Sequence, residues 1–547
     1  MGLFGLLGVA SKGMTMAQTG MDLAGQNISN ADVEGYSRKR MNLQADYRTD
    51  GTFGQMGFGV NVVNIQRMRD TFIDQQIQQK DQEVGYYTQQ DQTLDSVQNI
   101  FTEPSTTGIQ TNIDQFFDSW QNLANNPSDL SARTMVKTNG EILSDVFHTA
   151  ANGLSDLRNS CNDQIQSSVD KVNNLTKEIF NYNREIASVE ISGQNANDSR
   201  DKRDQDLKEL ANYIDIDSTE DASGQITVTT AGNIIVSPAY QQDITTASAT
   251  RTLPDGTTVN DVGLQFADSH KNYVPQNGQI AALLDSRDTI IPQYQAQLDT
   301  LANSIVSTVN AQHKLGYTMN GYSGIEFFDS TSTGAADMKV SASIESDVNN
   351  IAASAGGQIV SFVEPAPTAL TFGNPPTQLT NKNILANSMK VVAGTTVLTE
   401  GTDYSVDYTR GTIQMLHNGY DGTPLAISYQ YSDSGSKGSG DNANAMAIAQ
   451  LRENATMNPD VLGTNTSTYG EYYSSFIGKL GLAKNQSSSN LDTRTYLVKQ
   501  YQTQQDSIAG VSLDDEMSDI IKYQHIYAAS ARVITIAGDM LDTLIKM

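Results

Sequence analysis

Leu3, Leu7, Ala10, Met14, Ala17, Met21, Ala24 and Ile28 follow one another at alternating spacings of four and three. That is a heptad repeat, the mark of a helix whose apolar stripe faces another helix. At the far end Leu513, Met517, Ile520, Gln524, Tyr527, Ala531, Ile534, Gly538, Leu541 and Ile545 keep the same rhythm, and only Gln524 and Gly538 break its apolar character. A helix over residues 3–28 is about 40 Å long at ~1.5 Å per residue, too long and too narrowly striped to bury itself. Its Ala positions permit close approach but bury little, whereas a Leu or Ile contributes roughly 1.5–3 kcal/mol. The pattern predicts coiled-coil segments over 1–40 and 506–547 that pair with each other and with copies of the chain. Two ordinary core helices are the alternative. The expected subunit-interface positions are Leu3, Leu7, Met14, Met21, Ile28, Leu513, Met517, Ile520, Tyr527, Ile534, Leu541 and Ile545.

The first stripe stops at NISNADVEGYSRKR, residues 27–40. Asn27, Ser29, Asn30 and Asp32 compete locally for backbone hydrogen bonds, and Gly35 tolerates a positive φ, so the segment reads as a turn that ends the helix.

Between the ends, Ile165, Ser168, Val172, Leu175, Ile179, Tyr182, Ile186 and Val189 form a second heptad run. A further helical face runs from Gln279 to His313, carried by Leu283, Ile290, Tyr294, Leu298, Leu301, Ile305 and Val309, with Pro292 expected to kink or restart it. Ile113, Phe116, Phe117, Trp120 and Leu123 make another, closed by Asn125-Asn126-Pro127. Elsewhere the period drops to two. Ile226, Val228, Ile234 and Val236 alternate about Ala231-Gly232-Asn233, which reads as a hairpin. Met389 and Val391, then Tyr404, Val406 and Tyr408, then Ile413 and Met415, then Ile427, Tyr429 and Tyr431 predict four strands of a small all-β domain over about 366–432. Pro-bearing EPAPTAL and NPPTQL precede it, and SDSGSKGSG follows as a linker.

The expected fold class is multidomain α+β: a terminal α-helical coiled coil, a helical-bundle domain and inserted all-β domains. The helical domain takes 41–215, 276–320 and 436–505; β-rich insertions take 216–275 and 321–435, the latter facing outward.

Composition narrows the functional classes. At 62 acidic against 35 basic residues, a formal charge of −27 repels phosphate backbones and anionic lipid surfaces, which argues against nucleic acid as a partner. A single Cys161 allows no intramolecular disulfide, so packing must hold the fold. MGLFGLLGVA lacks the basic start of a signal peptide and its periodicity runs on, so it reads as mature structure, and a chain of this kind that leaves the cell is expected to do so without a cleaved leader. Leu6 stands where myristoylation wants Ser or Thr. No run approaches the ~18 apolar residues of a membrane span, so no membrane insertion is expected.

Candidate chemistry is thin. His148, His270, His313, His417 and His525 are scattered singly, which argues against a zinc site. GFGVNV, residues 57–62, has Val62 where a dinucleotide loop needs its third glycine. Around Gly478-Lys479, Tyr473 and Leu480 occupy the glycine and hydroxyl positions of a phosphate loop. DIDSTEDASG, residues 215–224, has the wrong spacing for an EF-hand. Asp514-Asp515-Glu516 reads as charge placed at a helix N-terminus. No two of the acids stand out as a glycosidase pair. The expectation is no enzyme, no catalytic residue, no metal and no cofactor.

NISNADVEGYSR resembles the N-terminal signature of bacterial flagellar axial proteins, the rod, hook and hook-associated proteins. The match lies at Asn27, Ile28, Asn30, Gly35, Tyr36 and Ser37, while Asp32-Val33-Glu34 stands where the family usually has an Asn-Thr-Pro-like turn. NGQIAALLDSRD (277–288), VNAQHKLGY (309–317), GDNANAMAIAQL (440–451) and SIAGVSLDDEMSDIIKYQHIYAASARVI (507–534) narrow the resemblance to the hook-associated members, structural subunits of the hook-filament junction. It implies a secreted subunit of the extracellular flagellum, passed unfolded through the type III export apparatus with an export chaperone. It also implies self-association in a helical layer, contacts with the hook protein and the next hook-filament junction protein, and terminal helices that order on assembly. Another axial protein (hook or rod subunit) and a flagellum-borne secreted hydrolase or adhesin are the rival readings.

Overall fold

The computed structural model describes residues 3–50, 54–101, 105, 107–252, 258–355, 359–365, 368–385, 388–408, 410–432, 440–459 and 463–546. It mixes helix and sheet, with a long helix at each end and several small sheets between. The linker expected over 432–440 falls, from 433 to 439, outside the described residues, as do positions 366 and 367 of the Pro-bearing segment.

In chain order, α1 (Leu3–Ser29) leads into an antiparallel hairpin, β1 (Lys39–Asp50) and β2 (Gly54–Arg67). Four helices follow: α2 (Thr71–Phe101), α3 (Ile109–Asn125), the 61-residue α4 (Leu130–Glu190) and α5 (Asn197–Tyr213). Next come a three-stranded sheet, β3 (Asp217–Glu220), β4 (Ile226–Thr230) and β5 (Asn233–Val236), and a hairpin, β6 (Ile244–Thr252) and β7 (Thr258–Phe266). Then α6 (Gly278–Asp285) runs through a π turn, Ser286–Ile290, into α7 (Ile291–Leu315). Short α8 (Ala342–Ser346) precedes β8 (Ile359–Val363), β9 (Thr368–Ala369), β10 (Thr377–Gln378), β11 (Lys390–Ala393), β12 (Thr396–Val397), β13 (Tyr404–Asp407), β14 (Thr412–Met415) and β15 (Pro424–Ser432). Helix α9 (Ala443–Gln450), strands β16 (Met457–Pro459) and β17 (Asn465–Ser467), and helices α10 (Tyr469–Ala509) and α11 (Leu513–Lys546) complete the chain.

Two compact units result. The first comprises Met1–Thr93, Ser160–Asp288 and Lys484–Met547. Within it α1 packs along α11 and across the β1–β2 hairpin, whose Phe58 ring lies 3.1 Å from where a Cβ on Gly8 would stand. Residues 41–67, assigned from sequence to the helical domain, are thus a hairpin. Extended runs of β-formers such as Val60, Val62, Val63 and Ile65 favour a strand once α1 covers one face. On α4, Asn183 is fully buried; its Oδ1 accepts from Ile226 N at 3.0 Å and its Nδ2 donates to Ile226 O at 2.7 Å. Asn173 clasps Ile244 in the same way, at 2.9 and 2.8 Å. Each amide acts as a surrogate peptide, satisfying a strand edge that burial would otherwise penalise. The β4–β5 turn has positive φ at Ala231 and Gly232, as a two-residue hairpin of this hand requires.

The second unit comprises Leu94–Asn159 and Thr289–Ala483. Phe116 and Trp120 of α3 meet Phe327, Phe328 and His313 in an aromatic core, with the Trp120 and Phe327 rings 5.4 Å apart, and Phe117 stacks on Tyr469. At Pro292 the helix changes character as expected: the π turn Ser286–Ile290 lies just before it, and Pro292 stands in the first turn of α7, where the loosened turn accommodates its missing N–H. The strands read from alternation lie at β11, β13, β14 and β15. They form two small sheets, ordered β12-β11-β15-β8 (with β9 also on β15) and β10-β14-β13, around Val391, Ile413, Leu425 and Ile427.

Candidate functional site

The expected interface positions lie on the first and last helices, and the contacts between those helices are made chiefly by other residues. A Cβ on Gly13 would fall 2.7 Å from Ser530 Oγ, and one on Gly20 would fall 2.7 Å from the Tyr523 ring. One more step of seven brings Asn27 Nδ2 to Glu516 Oε2 at 3.1 Å. Seven residues forward on α1 match seven backward on α11, so the helices run antiparallel in one register. Among the expected positions on α1, Leu3, Leu7, Met14, Met21 and Ile28 are half-buried; the fully covered face is Ala10, Ala17, Gly20, Leu23, Ala24 and Asn27. On α11 the face toward α1 carries Glu516, Tyr523, Ser530 and Ala537. There Ile520, Ile534 and Leu541 are half-buried, and Leu513, Met517, Tyr527 and Ile545 are exposed. Six large apolar residues of α11 are at least half exposed: Leu513, Met517 and Ile521 near its start, and Ile536, Met540 and Leu544 near its end, where Leu544 continues the seven-residue series that faces α1.

The turn that ends α1 is built around Asn27, which is 1% exposed. Its Nδ2 donates to Lys39 O at 3.0 Å and its Oδ1 accepts from Lys39 N at 3.1 Å, the same clasp that α4 makes on its strands. The Tyr36 hydroxyl donates to Asn27 Oδ1 at 2.8 Å. Gly35 sits at φ +82°, the left-handed conformation that brings Tyr36 back toward the helix. Ser37 is buried, its Oγ donating to Asp201 Oδ1 at 2.7 Å and its N–H to Asp201 Oδ2 at 3.2 Å. Ile28 lies in the last turn of α1 and Asn30 just beyond it, where Asn30 Nδ2 donates to Gln26 O at 2.8 Å. The structure therefore brings Asn27, Gly35, Tyr36 and Ser37 into one cluster and leaves Ile28 and Asn30 beside it.

Charged residues that the sequence reading passed over complete the cluster. Arg38 Nε donates to Glu516 Oε1 at 2.7 Å, and Lys39 Nζ meets Asp198. Arg67 bridges Asp201 at 3.0 Å and Asp204 at 2.6 Å. Arg69 pairs with Asp74 at 3.0 Å and donates to Ser37 Oγ at 3.2 Å. Burial, followed by the charges of Asp198, Asp201 and Glu516, pushes the Tyr36 hydroxyl up to about 12, so it stays a donor. Burial raises the Asp74 carboxyl despite Arg69. Burial also opposes the charge on Arg69, but Asp74, Asp204 and Asp201 outweigh it and hold the guanidinium above its ordinary value. Beside this cluster a cleft of about 880 Å³ opens between the 31–36 turn, α5 and the α10–α11 loop. Glu516, read from sequence as a helix-start charge, is 3% exposed and turned inward. Its seven-residue spacing to Tyr523, Ser530 and Ala537 was the available signal.

Here each cation faces a carboxylate, an arrangement that fixes backbone and leaves no nucleophile beside a free base. Among the described residues no group of His, Cys, Asp and Glu could hold a metal ion. No described helix is long and apolar enough to cross a membrane.

Comparison with known proteins adds a family resemblance. The family model for the helical domain of flagellar hook-associated protein FlgK matches residues 94–328, and that for the C-terminal part of flagellar basal body rod proteins FlgEFG matches 502–547. The chain is 25% identical to flagellar hook-associated protein 1 of Bacillus subtilis, over 99% of this chain and 97% of that one. It is 26% identical to the proteins of that name in Salmonella typhimurium and Escherichia coli, over 99% of both chains in each case. In fold it is similar to the flagellar hook junction protein FlgK from Burkholderia pseudomallei, with a TM-score of 0.58 at 19% identity, over 79% of this chain and 100% of that one.

Proposed function

We infer that this chain, which belongs to the flagellar hook-associated protein 1 family, is a structural subunit of the junction between flagellar hook and filament. The relatives of that name match it from end to end, and they are components of the flagellum rather than enzymes. As part of the flagellar axial structure it is exported and works outside the cell. Its mechanism is assembly. Segments 1–40 and 506–547 form a coiled-coil layer with those of neighbouring copies, and the layer joins the hook protein on one side to the next junction protein on the other. An export chaperone holds the chain before export.

The observation that supports this mechanism is the uncovered apolar surface of α11 in two groups, Leu513, Met517 and Ile521 near its start and Ile536, Met540 and Leu544 near its end, on a helix already packed against α1. Six large apolar side chains spaced along one helix lose favourable burial until another helix covers them. Of the expected interface set, Leu513, Met517, Tyr527 and Ile545 face outward in the single chain and are available to neighbours. Deleting residues 513–547 tests the reading. A soluble, folded remainder that no longer adds to purified hooks is expected; normal addition would refute the layer model.

A further inference from the structure

Asn27 and Arg38 converge from the N-terminal turn on one buried carboxylate at the start of the last helix. We propose that Glu516 is a positioning residue, a pin that selects a single antiparallel register for α1 and α11 and makes the seating of the two ends one event. This rests on the reading that the terminal helices order as the subunit assembles.

Small residues line the α1 face toward α11, with Ala10, Ala17, Gly20 and Ala24 all buried. Such a face recurs every seven residues, so packing alone discriminates weakly between registers one heptad apart. A polar group at one position of an otherwise apolar contact breaks that degeneracy, because every other register leaves it buried without partners. Glu516 fills that position: in the observed register both its oxygens are matched, at 2.7 Å by Arg38 and at 3.1 Å by Asn27. A shift of one heptad would set Tyr523 against Asn27 and strand the carboxylate. Its neighbours Asp514 and Asp515 are exposed and serve the helix dipole, which separates their role from that of Glu516.

The pin also works in the other direction. Segment 36–39 is held by Asn27 from α1, by Asp198 and Asp201 from α5, by the Arg38 N–H to Ala509 O bond at 2.9 Å, and by Glu516 from α11. Without α11 seated, Arg38 loses its counter-charge; without the turn seated, Glu516 loses both donors.

Hydrogen exchange by mass spectrometry on the full chain, alone and bound to purified hooks, tests this with E516A, E516Q, N27A, N27A/E516A and the charge swap R38E/E516R. E516A should speed exchange at least tenfold in residues 36–39 as well as 513–523, and N27A should do the same. The double variant should be no worse than either single one. E516Q, which keeps the shape and the Asn27 contact, should fall between, and the swap should recover part of the protection. The proposal is overturned if each variant loosens only its own segment and the effects add, or if the unsubstituted chain protects neither segment in either state. Coupled loss among the variants together with failure of the unsubstituted chain to add to hooks would sink the junction reading and leave the pin standing.

Discussion

Asn27 Nδ2 lies 3.1 Å from Glu516 Oε2, joining the first helix to the last across 489 positions of sequence. Asn27→Asp replaces that donor with a second carboxylate in a buried site. Opening such a contact costs on the order of 3 kcal/mol. Hydrogen exchange of the hook-bound chain at pH 7.5 should show that loss as faster exchange over residues 36–39 and 513–523.

Gly20 admits the Tyr523 ring, which lies 2.7 Å from where its Cβ would stand, whereas a Cβ on Gly25 would meet nothing within 4 Å. Gly20→Val should therefore push the terminal helices apart and abolish addition to hooks. Gly25→Ala should be neutral or raise stability by up to about 1 kcal/mol through helix propensity. Addition assays alongside circular dichroism separate the two outcomes.

Met517 and Met540 are 56% and 50% exposed near the start and the end of α11. Met517→Glu and Met540→Glu should change the stability of the isolated chain by no more than about 0.5 kcal/mol, as at other open surface sites. Each substitution should stop addition to hooks. Addition at the unsubstituted rate would show that the substituted position is not covered in the layer.

Asp81 on α2 is 4% exposed and its Oδ2 has no hydrogen-bond partner among the described residues. Burial pushes its carboxyl up to about 6 against the pull of Lys208. Between its ordinary value and that point the folded chain holds a proton that the unfolded chain has lost, so stability from this group falls as pH rises through the window. Asp81→Asn should stabilise the first unit above pH 6 by on the order of 2 kcal/mol and have little effect near pH 4. Urea titrations at the two pH values check the difference.

His313 reverses the sign. It is fully buried, its Nδ1–H donating to Ile325 O at 2.7 Å and its Nε2 accepting from Ala352 N at 2.8 Å. Burial pushes the imidazole down to about 4; the Ile325 carbonyl opposes that shift and Arg133 adds to it. The unfolded chain takes the proton first on acidification, so stability is whole above the ordinary histidine value and drains away as pH falls toward 4. In a histidine-labelled sample, the His313 ring signals should stay unchanged between pH 7.5 and 5.

The one-dimensional pattern determined the strongly periodic elements, though not the β1–β2 hairpin, because helix and strand periods are local properties of the chain. The stripes over 3–28 and 513–545 lie on α1 and α11, the heptads over 165–189 lie on α4, and the alternation around Ala231-Gly232 is a hairpin with both turn residues at positive φ. Partner choice was another matter. Met14 and Met21 share a heptad with Ala10 and Ala17, yet Gly13 and Gly20 face α11, since close approach to Ser530 and Tyr523 rewards the absence of a side chain and α1 must also cover a hairpin. Asn27, Asn173 and Asn183 look like ordinary polar helix positions until a strand edge arrives to be clasped. Glu516 is one acid among three at a helix start, and only the antiparallel register of two helices 489 positions apart turned it inward. Periodicity states which side of a helix is apolar; which atoms meet across the contact depends on distances between segments that sequence spacing does not contain.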